Sequence, residues 1–562
     1  MSLSQYASPK ISVEIYPYFG GKYTFTDQNN TLLQVVTNKN IRNSTGGHFH
    51  ILLAPGGPGG VNDATTWSSI IIPNSLVIIR MARAGSTGTP MVGVVTSSRE
   101  TQQWRANQSA GRAIEIKGSD FTFFFTNFSY FTLQEFGLVA SNLFQVLGSI
   151  AGIAGGQGLV TGSPGSVGQA WYEKIMAGNN GILSVLNWAI GNQRISYNNV
   201  VAYGFEDYPA QSGATVPVSL NFMNSEGTWM QKFQTIYTFP LYEFFVNTAP
   251  ASVISSKSNS PKPFYSFASY DQISKIVSSD SGIYAAGVPT VVARVNPLPY
   301  AVYDPSSDSW LWDSTRWDSL PTFSADNGFM ESSIQMDASE VRNFYLFLPN
   351  FVLALTGGSS SNIVSSMEQY GLMADFSSLD RFGYRPAIID TLWYADPAGY
   401  YAIKNAAAGV TQNDFIKTFV EITSRIASYY EPTPSMFRGE VTIPLRPDII
   451  PGCKFRYNPY KGDVNGDYLF YIEGVTHNWI YGGQTTTKLE LARGLAETDY
   501  SDTALMIKLH TGSVHRIDGK LQEPVYAKNV NAPKTLTYFS NQVINAEFMK
   551  DLPGIFVTPG AT

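Results

Sequence analysis

Two histidines have the spacing closest to that of a metal site. His48 and His50 stand at positions i and i+2 in the apolar segment HFHILL, so on a β-strand both side chains point to one face and could share an ion. A zinc centre for hydrolysis needs at least three protein ligands on a stiff frame. No third ligand accompanies the pair at motif spacing, so we interpret it as part of a half-buried strand face and predict no metal site.

The other three histidines and the single cysteine lie in the C-terminal part of the chain. His510 and His515, with Asp518, stand in a loop-like segment for which we predict a solvent-exposed surface. His477 lies in the strand-like sequence Thr-His-Asn-Trp and is predicted to be packed. Cys453 has no second cysteine to pair with, which excludes an internal disulfide and a cysteine-based zinc site. We predict a small core or turn residue there.

Carboxylate pairs for glycoside hydrolysis meet only in the folded chain. Glu331 and Asp337 form one candidate pair. A second lies in the tryptophan-rich segment DSWLWDSTRWDSLP, whose relevant residues are Asp313, Asp318, Trp310, Trp312 and Trp317. We predict that these tryptophans are buried at a subunit or domain contact, where tryptophan is enriched, and keep a glycan site as the alternative. The segment TGSPGSVG around Ser163 and Ser166 does not match the Gly-x-Ser-x-Gly elbow of serine hydrolases.

Two loops imitate binding motifs but lack the residues that bind. Residues 463–467, DVNGD, begin like a calcium loop. However, Tyr468 stands where such a loop needs glycine, and Gly474 stands where it needs glutamate. Residues 55–60, PGGPGG, follow a strand as a phosphate loop does, but Val-Asn-Asp follows in place of Lys-Ser/Thr. We predict a hairpin turn and a flexible loop, with no cofactor.

Composition favours a subunit of an assembly. The chain has 562 residues, enough for three to five domains. Charged residues make up only 14% and aromatic residues another 14%, whereas a soluble monomer usually has about 25% charged residues. The formal net charge of -6 provides no basic face, so we predict no stable nucleic-acid binding.

The sequence predicts neither a signal peptide nor a membrane span. The segment MSLSQYASPK lacks a charged head followed by an apolar run. Residues 136–160 contain no charge and are long enough to cross a bilayer. Asn142, Gln145, Gln157 and five late glycines weaken both helix formation and hydropathy, so we predict a buried helix followed by a glycine-rich loop.

Short apolar runs separated by glycine turns dominate residues 11–128, including ISVEIY, KYTFTD, LLQVVTNKN, WSSIII, LVIIRMAR and MVGVVTSSRE. Such a series is typical of a barrel or a sandwich. Residues 129–228 are predicted to be a helical, glycine-rich insertion, mainly from helical spacing in 167–192. Residues 229–410 are predicted to be a mixed α/β middle region.

The stretch from Phe437 to Gly494 is the most informative in the chain. FRGEVTIP alternates with period two, and two further strand patterns, YLFYIEGVTHNWI and TTTKLELARG, flank Tyr481-Gly482-Gly483. The glycine pair suits a tight hairpin, so we predict an antiparallel β module. Before it, apolar residues at helical spacing after a candidate cap, Asn413, predict an amphipathic helix packed on that module; they are Phe415, Phe419, Ile422, Ile426 and Tyr429.

These motifs carry a family resemblance. The order of GEVTIP, Arg-Pro-Asp-Ile, Pro-Gly, YIEGVTHNW and TTxLxLxRG resembles the closing barrel of phage tail hub proteins, a fold also found in the hub half of secretion-system spike proteins. The N-terminal motifs resemble that family's first barrel. Weaker matches in the same order lie in the middle region. The matching positions outside the last module are Trp67, 77–81, 93–95, 116–121, Pro240, 243–247, 291–300 and 380–386.

The resemblance implies a mainly β fold with α+β parts and two antiparallel, tube-like β-barrels, the first at 1–128 and the second, with its helix, at 411–500. Residues 501–562 would be a docking extension. The implied function is that of a structural virion protein: a homotrimeric baseplate hub that joins a sixfold tail tube or tube initiator to a threefold central spike, surrounded by wedge proteins. It implies assembly in the host cytoplasm and no catalytic, cofactor-binding or metal residues, because the matched motifs are fold motifs.

Two other functions remain open at the level of sequence. One is a tail-associated peptidoglycan hydrolase, although no separate enzyme domain is recognisable. The other is a carbohydrate-binding tail adhesin, which the aromatic richness and β content would suit.

Overall fold

A computed structural model describes most of the regions that carry the sequence motifs. The described residues are 8–17, 21–28, 31–42, 46–61, 63, 65–83, 86–103, 111–127, 160–165, 168, 202–209, 218–219, 227–250, 287–304, 307, 309–324, 330–350, 372–394, 412–458, 466–512 and 514–516. Over these residues the chain is mainly antiparallel β with fewer helices. The predicted fold class is therefore confirmed.

The N-terminal half of the largest sheet has seven described strands. Their bounds are β1 (Lys10–Tyr16), β2 (Tyr23–Thr26), β3 (Leu32–Asn40), β4 (His48–Leu53), β5 (Leu76–Arg83), β6 (Ser86–Gln103) and β7 (Gly111–Asp120). They lie side by side in the order β3-β4-β7-β6-β5-β1-β2, all antiparallel. The prediction of a strand at WSSIII is wrong: Trp67–Ile70 form a helical turn, α1, which lets Trp67 pack edge-on against Phe25 at 4.9 Å between ring centroids.

Strand β5 shows why a continuous apolar run is needed here. Val77 and Ile79 face a core inside the N-terminal half, whereas Leu76 and Ile78 face a second core that extends into the middle of the chain. Because side chains alternate between the two faces of a strand, a strand covered on both faces has no polar alternation.

The C-terminal half of the sheet contains the predicted hairpin. Its strands are β15 (Thr322–Ser324), β16 (Glu331–Met336), β20 (Phe437–Pro444), β21 (Lys454–Tyr457), β22 (Tyr468–Ile480) and β23 (Thr486–Ala496). The turn between β22 and β23 uses Gly482 at a φ of 64°, and the Gly483 N–H donates to the Ile480 carbonyl at 3.1 Å. The strand, turn and hairpin predictions for this module are confirmed.

The two halves are one sheet, not two closed barrels. Strand β3 pairs antiparallel with β22, from Gln34 opposite Ile480 to Asn40 opposite Gly474. Inward side chains of β1 to β7 share one core, so the N-terminal half curls around it. No described strand pair closes either half, because the side of β3 that would close the N-terminal half is occupied by β22. The expectation of closed barrels is corrected accordingly.

Smaller sheets fill the middle of the chain. Their strands are β8 (Val160–Gly162), β9 (Ala202–Phe205), β10 (Val218–Ser219), β11 (Tyr242–Pro250), β12 (Gly287–Val295), β13 (Tyr300–Asp304), β14 (Ser309–Asp313), β17 (Phe344–Asn350), β18 (Met373–Asp375), β19 (Pro386–Tyr394) and β24 (Val514–Arg516). The described parts of 129–228 thus include strands that pair with the middle region. The helices predicted at 167–192 and the apolar segment 136–160 lie almost entirely outside the described residues.

Seven further helices are described: α2 (Thr122–Asn127), α3 (Trp229–Ile236), α4 (Thr315–Ser319), α5 (Phe376–Phe382), α6 (Gln412–Tyr430), α7 (Glu497–Ser501) and α8 (Thr503–Thr511). None of the helices in this part of the chain is both long and apolar enough to cross a membrane.

Helix α6 forms where a helix was predicted, but its surroundings differ from the prediction. It begins at Gln412, so Asn413 lies inside it. Every residue from Thr418 to Tyr429 is buried, whereas an amphipathic helix would expose one face. The polar side chains are accommodated by local hydrogen bonds: Thr423 donates to the Phe419 carbonyl and Ser424 to the Glu421 carbonyl. The helix is therefore a central element between the sheets, and not a cover on one module.

Candidate functional site

The histidine pair on β4 lies in a cluster of charged side chains. Phe49 and Ile51 point into the core, while His48 and His50 lie together on the outer face, as predicted. The His50 Nε2 is 3.0 Å from Glu115 Oε1. Hydrogen bonds from Lys117, together with Arg99, lower the pKa of Glu115 to about 2. No group of three metal-binding side chains occurs among the described residues, so this surface is a charge cluster.

The first candidate carboxylate pair is too far apart for a glycosidase, and the carboxylates of the second are engaged in local hydrogen bonds. Glu331 begins strand β16 and Asp337 follows its last residue, so six extended residues separate them by about 20 Å. Glycosidases need roughly 5 to 9.5 Å. Asp313 accepts hydrogen bonds from the Tyr300 hydroxyl at 2.6 Å and the Thr315 N–H at 2.9 Å, and Asp318 accepts one from Ser314. These two carboxylates therefore stabilise the turn between β14 and α4 through hydrogen bonds.

The tryptophans nearby contribute to packing. Trp317 is 2% exposed, stacks on Tyr500 at 5.0 Å between ring centroids and joins the core of the C-terminal half. Trp310 and Trp312 are half-buried and lie against Tyr303 and His510. Trp317 thus lies at a contact between the middle region and the C-terminal half, and no described feature around it marks a glycan site.

The prediction of a solvent-exposed His510 is wrong. Helix α8 places it in the interior with 3% exposure, and its Nδ1 is 2.9 Å from the Ser428 carbonyl oxygen. Burial lowers the pKa of His510 to about 3. His515 lies in strand β24, not in a loop, and Asp518 lies outside the described residues. His477 is packed as predicted, with Nδ1 at 2.9 Å from Thr487 Oγ1.

The remaining candidates from the sequence are the single cysteine, the glycine-rich loop, the serine segment and the calcium-like loop. Cys453 is fully buried, and burial raises the pKa of its thiol to about 12, as expected for an inert core residue. In the loop 55–60, a bridge between Gly57 and Gly60 and a hydrogen bond from Gly59 N–H to Asp63 fix the backbone. Ser163 is described and Ser166 is not, while residues 463–465 of the calcium-like loop also lie outside the described part.

The feature that the sequence did not predict is the seam between β3 and β22. Polar side chains line one face of it: Gln34 donates to Asn478 at 3.1 Å and Asn38 to Thr476 at 2.8 Å, while Asn40 reaches past β22 to Glu490 of β23 at 2.5 Å. Cross-strand polar pairs of this kind fix strand register. Alternating polar residues on both strands were the available signal, but about 440 residues separate the partners.

A charge cluster continues this seam at Arg42. Its guanidinium contacts Glu340 at 2.9 Å, Glu473 at 2.5 Å and the Tyr429 hydroxyl at 2.6 Å. Burial raises the pKa of Glu473, and Arg42 opposes this rise. For Glu340, burial is outweighed by Arg42 and Arg438, so its pKa is lowered. Arg42 therefore joins the N-terminal half, the middle region, α6 and the C-terminal half at one point.

The large sheet has three edge strands among the described residues. Strands β2 and β16 end its main path, and β15 ends a side branch through β21. Strand β16 is exposed along almost its whole length, and Met330 and Met336 at its two ends are 44% and 54% exposed. An exposed edge strand offers unpaired backbone groups to another chain, so this edge is the part of the described surface best suited to assembly.

Comparison with known proteins gives only distant matches. No protein-family model and no curated protein matches the sequence. Solved structures that the chain is similar to include a tail protein from Neisseria meningitidis MC58, with 11% identity, a TM-score of 0.39, and coverage of 89% of this chain and 99% of that chain. A 43 kDa tail protein of prophage MuSo2 from Shewanella oneidensis has 8% identity, a TM-score of 0.37, and coverage of 86% and 97%. A type VI secretion system component of E. coli, described as structurally similar to the T4 bacteriophage tail proteins gp27 and gp5, has 9% identity, a TM-score of 0.31, and coverage of 83% and 74%.

Proposed function

We propose that this chain is a structural virion protein, the central baseplate hub of a contractile, phage-like tail. The proposal takes its class from the hub-like sequence motifs. The observation that carries it is the continuous sheet, in which the two motif-bearing halves are fixed to each other through β3 and β22 while β2 and β16 remain open at its ends.

The open edges suit a ring. A contact between edge β2 of one copy and edge β16 of the next would be heterologous, and heterologous contacts close into rings when the rotation permits. In a homotrimer each chain would contribute two halves, so six similar units would face a sixfold tail tube while the whole kept the threefold symmetry of a spike. The tube or tube initiator, the spike and the surrounding wedge proteins are the proposed partners, and the virion tail is the proposed location.

The proposal assigns no catalytic residue and no stable nucleic-acid binding. Incubation of the purified chain with peptidoglycan tests the first part: release of soluble fragments would contradict a purely structural role. For the second, binding to DNA that persists at physiological salt would contradict it, because the net charge of -6 offers no electrostatic attraction.

Light scattering on the purified chain, alone and with co-expressed neighbouring tail proteins, tests the trimer. We expect a mass near three chains in at least one condition.

A double variant, Met330→Lys with Met336→Lys, places charges at both ends of the β16 edge. It is expected to lower the association constant of the trimer at least tenfold, because edge lysines oppose strand pairing. The matched control is Leu505→Lys on α8, also an exposed apolar residue at 39%. A monomeric mass in both conditions would contradict the ring. So would an equal loss of trimer in the double variant and in the Leu505→Lys control.

A further inference from the structure

A small cavity beside helix α6 is lined by three residues that each carry a buried side-chain nitrogen atom without a hydrogen-bond partner among the described residues. Its volume is about 30 Å³, and its walls include Arg425, Arg493 and His510. Within the described part of the chain, Arg425 Nε, Arg493 Nη2 and His510 Nε2 are buried without a hydrogen-bond partner. A buried polar atom without a partner costs about 1 to 3 kcal/mol, and more when it is charged. Three such atoms on one cavity indicate that something polar fills it.

Arg493 is turned into this cavity by an irregularity of the sheet. Pairing of β20 with β23 passes from Gly439 opposite Leu491 to Phe437 opposite Gly494, so Ala492 and Arg493 form a bulge. Arg493 has a φ of 59°, a conformation that costs a non-glycine residue on the order of 1 kcal/mol. Bulges commonly redirect a side chain near functional sites. Here the bulge leaves Arg493 only 6% exposed.

The contacts of Arg493 leave one edge of its guanidinium available. The group lies over the Tyr429 ring at 4.0 Å from the centroid, and Nη1 approaches the Met436 sulfur at 4.0 Å. Nη2 has no partner among the described residues. A guanidinium presents its N–H groups in a fixed plane and suits anions.

Arg425 and His510 complete the walls. Arg425 lies over the Tyr300 ring at 3.7 Å from the centroid, and its Nη2 donates to the Tyr300 hydroxyl. Glu421 is 3.6 Å from Arg425 Nε, close enough to balance charge but too far for a hydrogen bond. His510 Nδ1 lies 2.9 Å from the Ser428 carbonyl oxygen, which can only accept, and 3.1 Å from the Ser428 hydroxyl, and we assign the proton of the neutral ring to Nδ1 because the carbonyl is the nearer partner. His510 Nε2 can therefore donate into the cavity only when the ring carries a second proton.

We propose that this cavity binds one small monovalent anion, of about the size of chloride, together with a proton on His510. The cavity has room for on the order of two water molecules, and a single halide fits the same space. Arg493, Arg425 and protonated His510 then donate one hydrogen bond each. One anion and one proton enter together, so the net charge of the buried cluster does not change.

The charged groups around His510 explain why we expect anion binding to be coupled to proton uptake by this histidine. Burial and Arg493 on β23 oppose its protonation. Arg425 on α6, paired with Glu421, lines the same cavity, as do Tyr300 and Tyr500. Trp312 on β14 covers the ring at 4.9 Å between centroids. Without the anion, burial holds the pKa of His510 at about 3. An anion between the two guanidinium groups would raise it.

The test compares salts at equal ionic strength. Urea midpoints of the full-length protein are measured in sodium chloride and in sodium gluconate, whose anion is too large for the cavity, between pH 5 and pH 8. We expect a higher midpoint in chloride at pH 5 and an apparent chloride affinity that falls about tenfold for each pH unit, because one proton is taken up with each anion. Arg493→Met is expected to remove the chloride effect. The matched control is Lys488→Met, a half-exposed cation on the same strand, which is expected to retain it.

Crystals of the unaltered protein soaked in sodium bromide at pH 5 give a readout that needs no variant. An anomalous peak within hydrogen-bond distance of Arg493 Nη2 and His510 Nε2 is expected. Water or a side chain of the protein at that position, equal midpoints in the two salts at every pH, or a normal chloride effect in Arg493→Met would each overturn the proposal.

Discussion

Replacing Arg42 by methionine should destabilise the protein strongly, because Arg42 neutralises carboxylates from two separate regions. Glu473 is 2.5 Å away with 11% of its side chain exposed, and Glu340 is 2.9 Å away. Breaking a buried ion pair from one side costs about 3 to 5 kcal/mol, since a charge is left buried without its partner. Arg42 itself is 26% exposed, so water screens part of the loss, and we expect about 3 kcal/mol at pH 7.5.

The pH dependence distinguishes this mechanism from a simple loss of packing. The pKa of Glu473 is already raised by burial, and the loss of Arg42 removes a cation that opposes the rise. An acid whose pKa is higher in the folded than in the unfolded state stabilises the fold at pH values below its unfolded-state pKa. This contribution is lost as the pH rises through the folded-state pKa. The cost of Arg42→Met should therefore shrink as the pH falls from 7.5 towards 5, because protonation of Glu473 removes the buried charge.

The assay is urea unfolding followed by tryptophan fluorescence at both pH values. A cost of about 3 kcal/mol corresponds to a midpoint shift of roughly 1 M. Adding Glu473→Gln to Arg42→Met should recover part of the loss at pH 7.5. The control, Arg456→Met, removes an exposed partner of Glu497 (42% and 41% exposed) and should cost less than about 1 kcal/mol. If Arg42→Met costs no more than this control, or costs the same at both pH values, the reasoning is refuted.

Two further predictions concern buried titratable groups. Burial, reinforced by Asp375, raises the pKa of Glu431 well above its usual range, so its protonated form stabilises the fold at low pH and this contribution is lost as pH rises. Glu431→Gln should therefore be more stable than the natural protein at pH 9 and nearly equal at pH 5 by urea midpoint; equal midpoints at pH 9 would contradict this. The thiol of Cys453, fully buried with its pKa raised to about 12, should react with a disulfide reagent at least about a thousandfold more slowly in the folded than in the urea-unfolded chain, and fast labelling of the folded protein would show that its core opens.

Local patterns predicted the elements of this fold better than their environment. Alternation in β20 and β22 and the glycines at 482–483 were sufficient to predict the hairpin, because they act within a few residues. The burial of α6 was not predictable, since its serines and threonines look like a solvent face. Thr423 and Ser424 bond to carbonyls of the helix itself, whereas Ser428 accepts from the Ala301 N–H, a partner that only the fold supplies. His510 was mispredicted for the same reason: its partner, Ser428, lies 82 residues away.

The same limit applies to closure of the barrels. Each half has the strand series of a barrel, and the N-terminal half has the shared core of one. Whether β3 pairs within its own half or with β22 depends on polar complementarity between two distant strands, and nothing in either strand alone reveals it. The single sheet, and with it the seam at Arg42, thus became visible only in the structure.

Buried charges recur where the regions meet, and this bears on the proposed hub function. Lys39 of β3 donates to Thr248 of β11 at 2.6 Å. Arg294 of β12 contacts Glu243 at 2.8 Å and donates to the Tyr471 hydroxyl of β22 at 2.8 Å. Buried ion pairs of this kind add little net stability compared with apolar packing, yet each demands one geometry, because any displacement leaves a charge unpartnered. A subunit selected only for stability would replace them with apolar side chains. A subunit that must keep two halves of a sheet in fixed register under load gains from contacts that tolerate no sliding, and we infer that the buried charges are retained here for that reason.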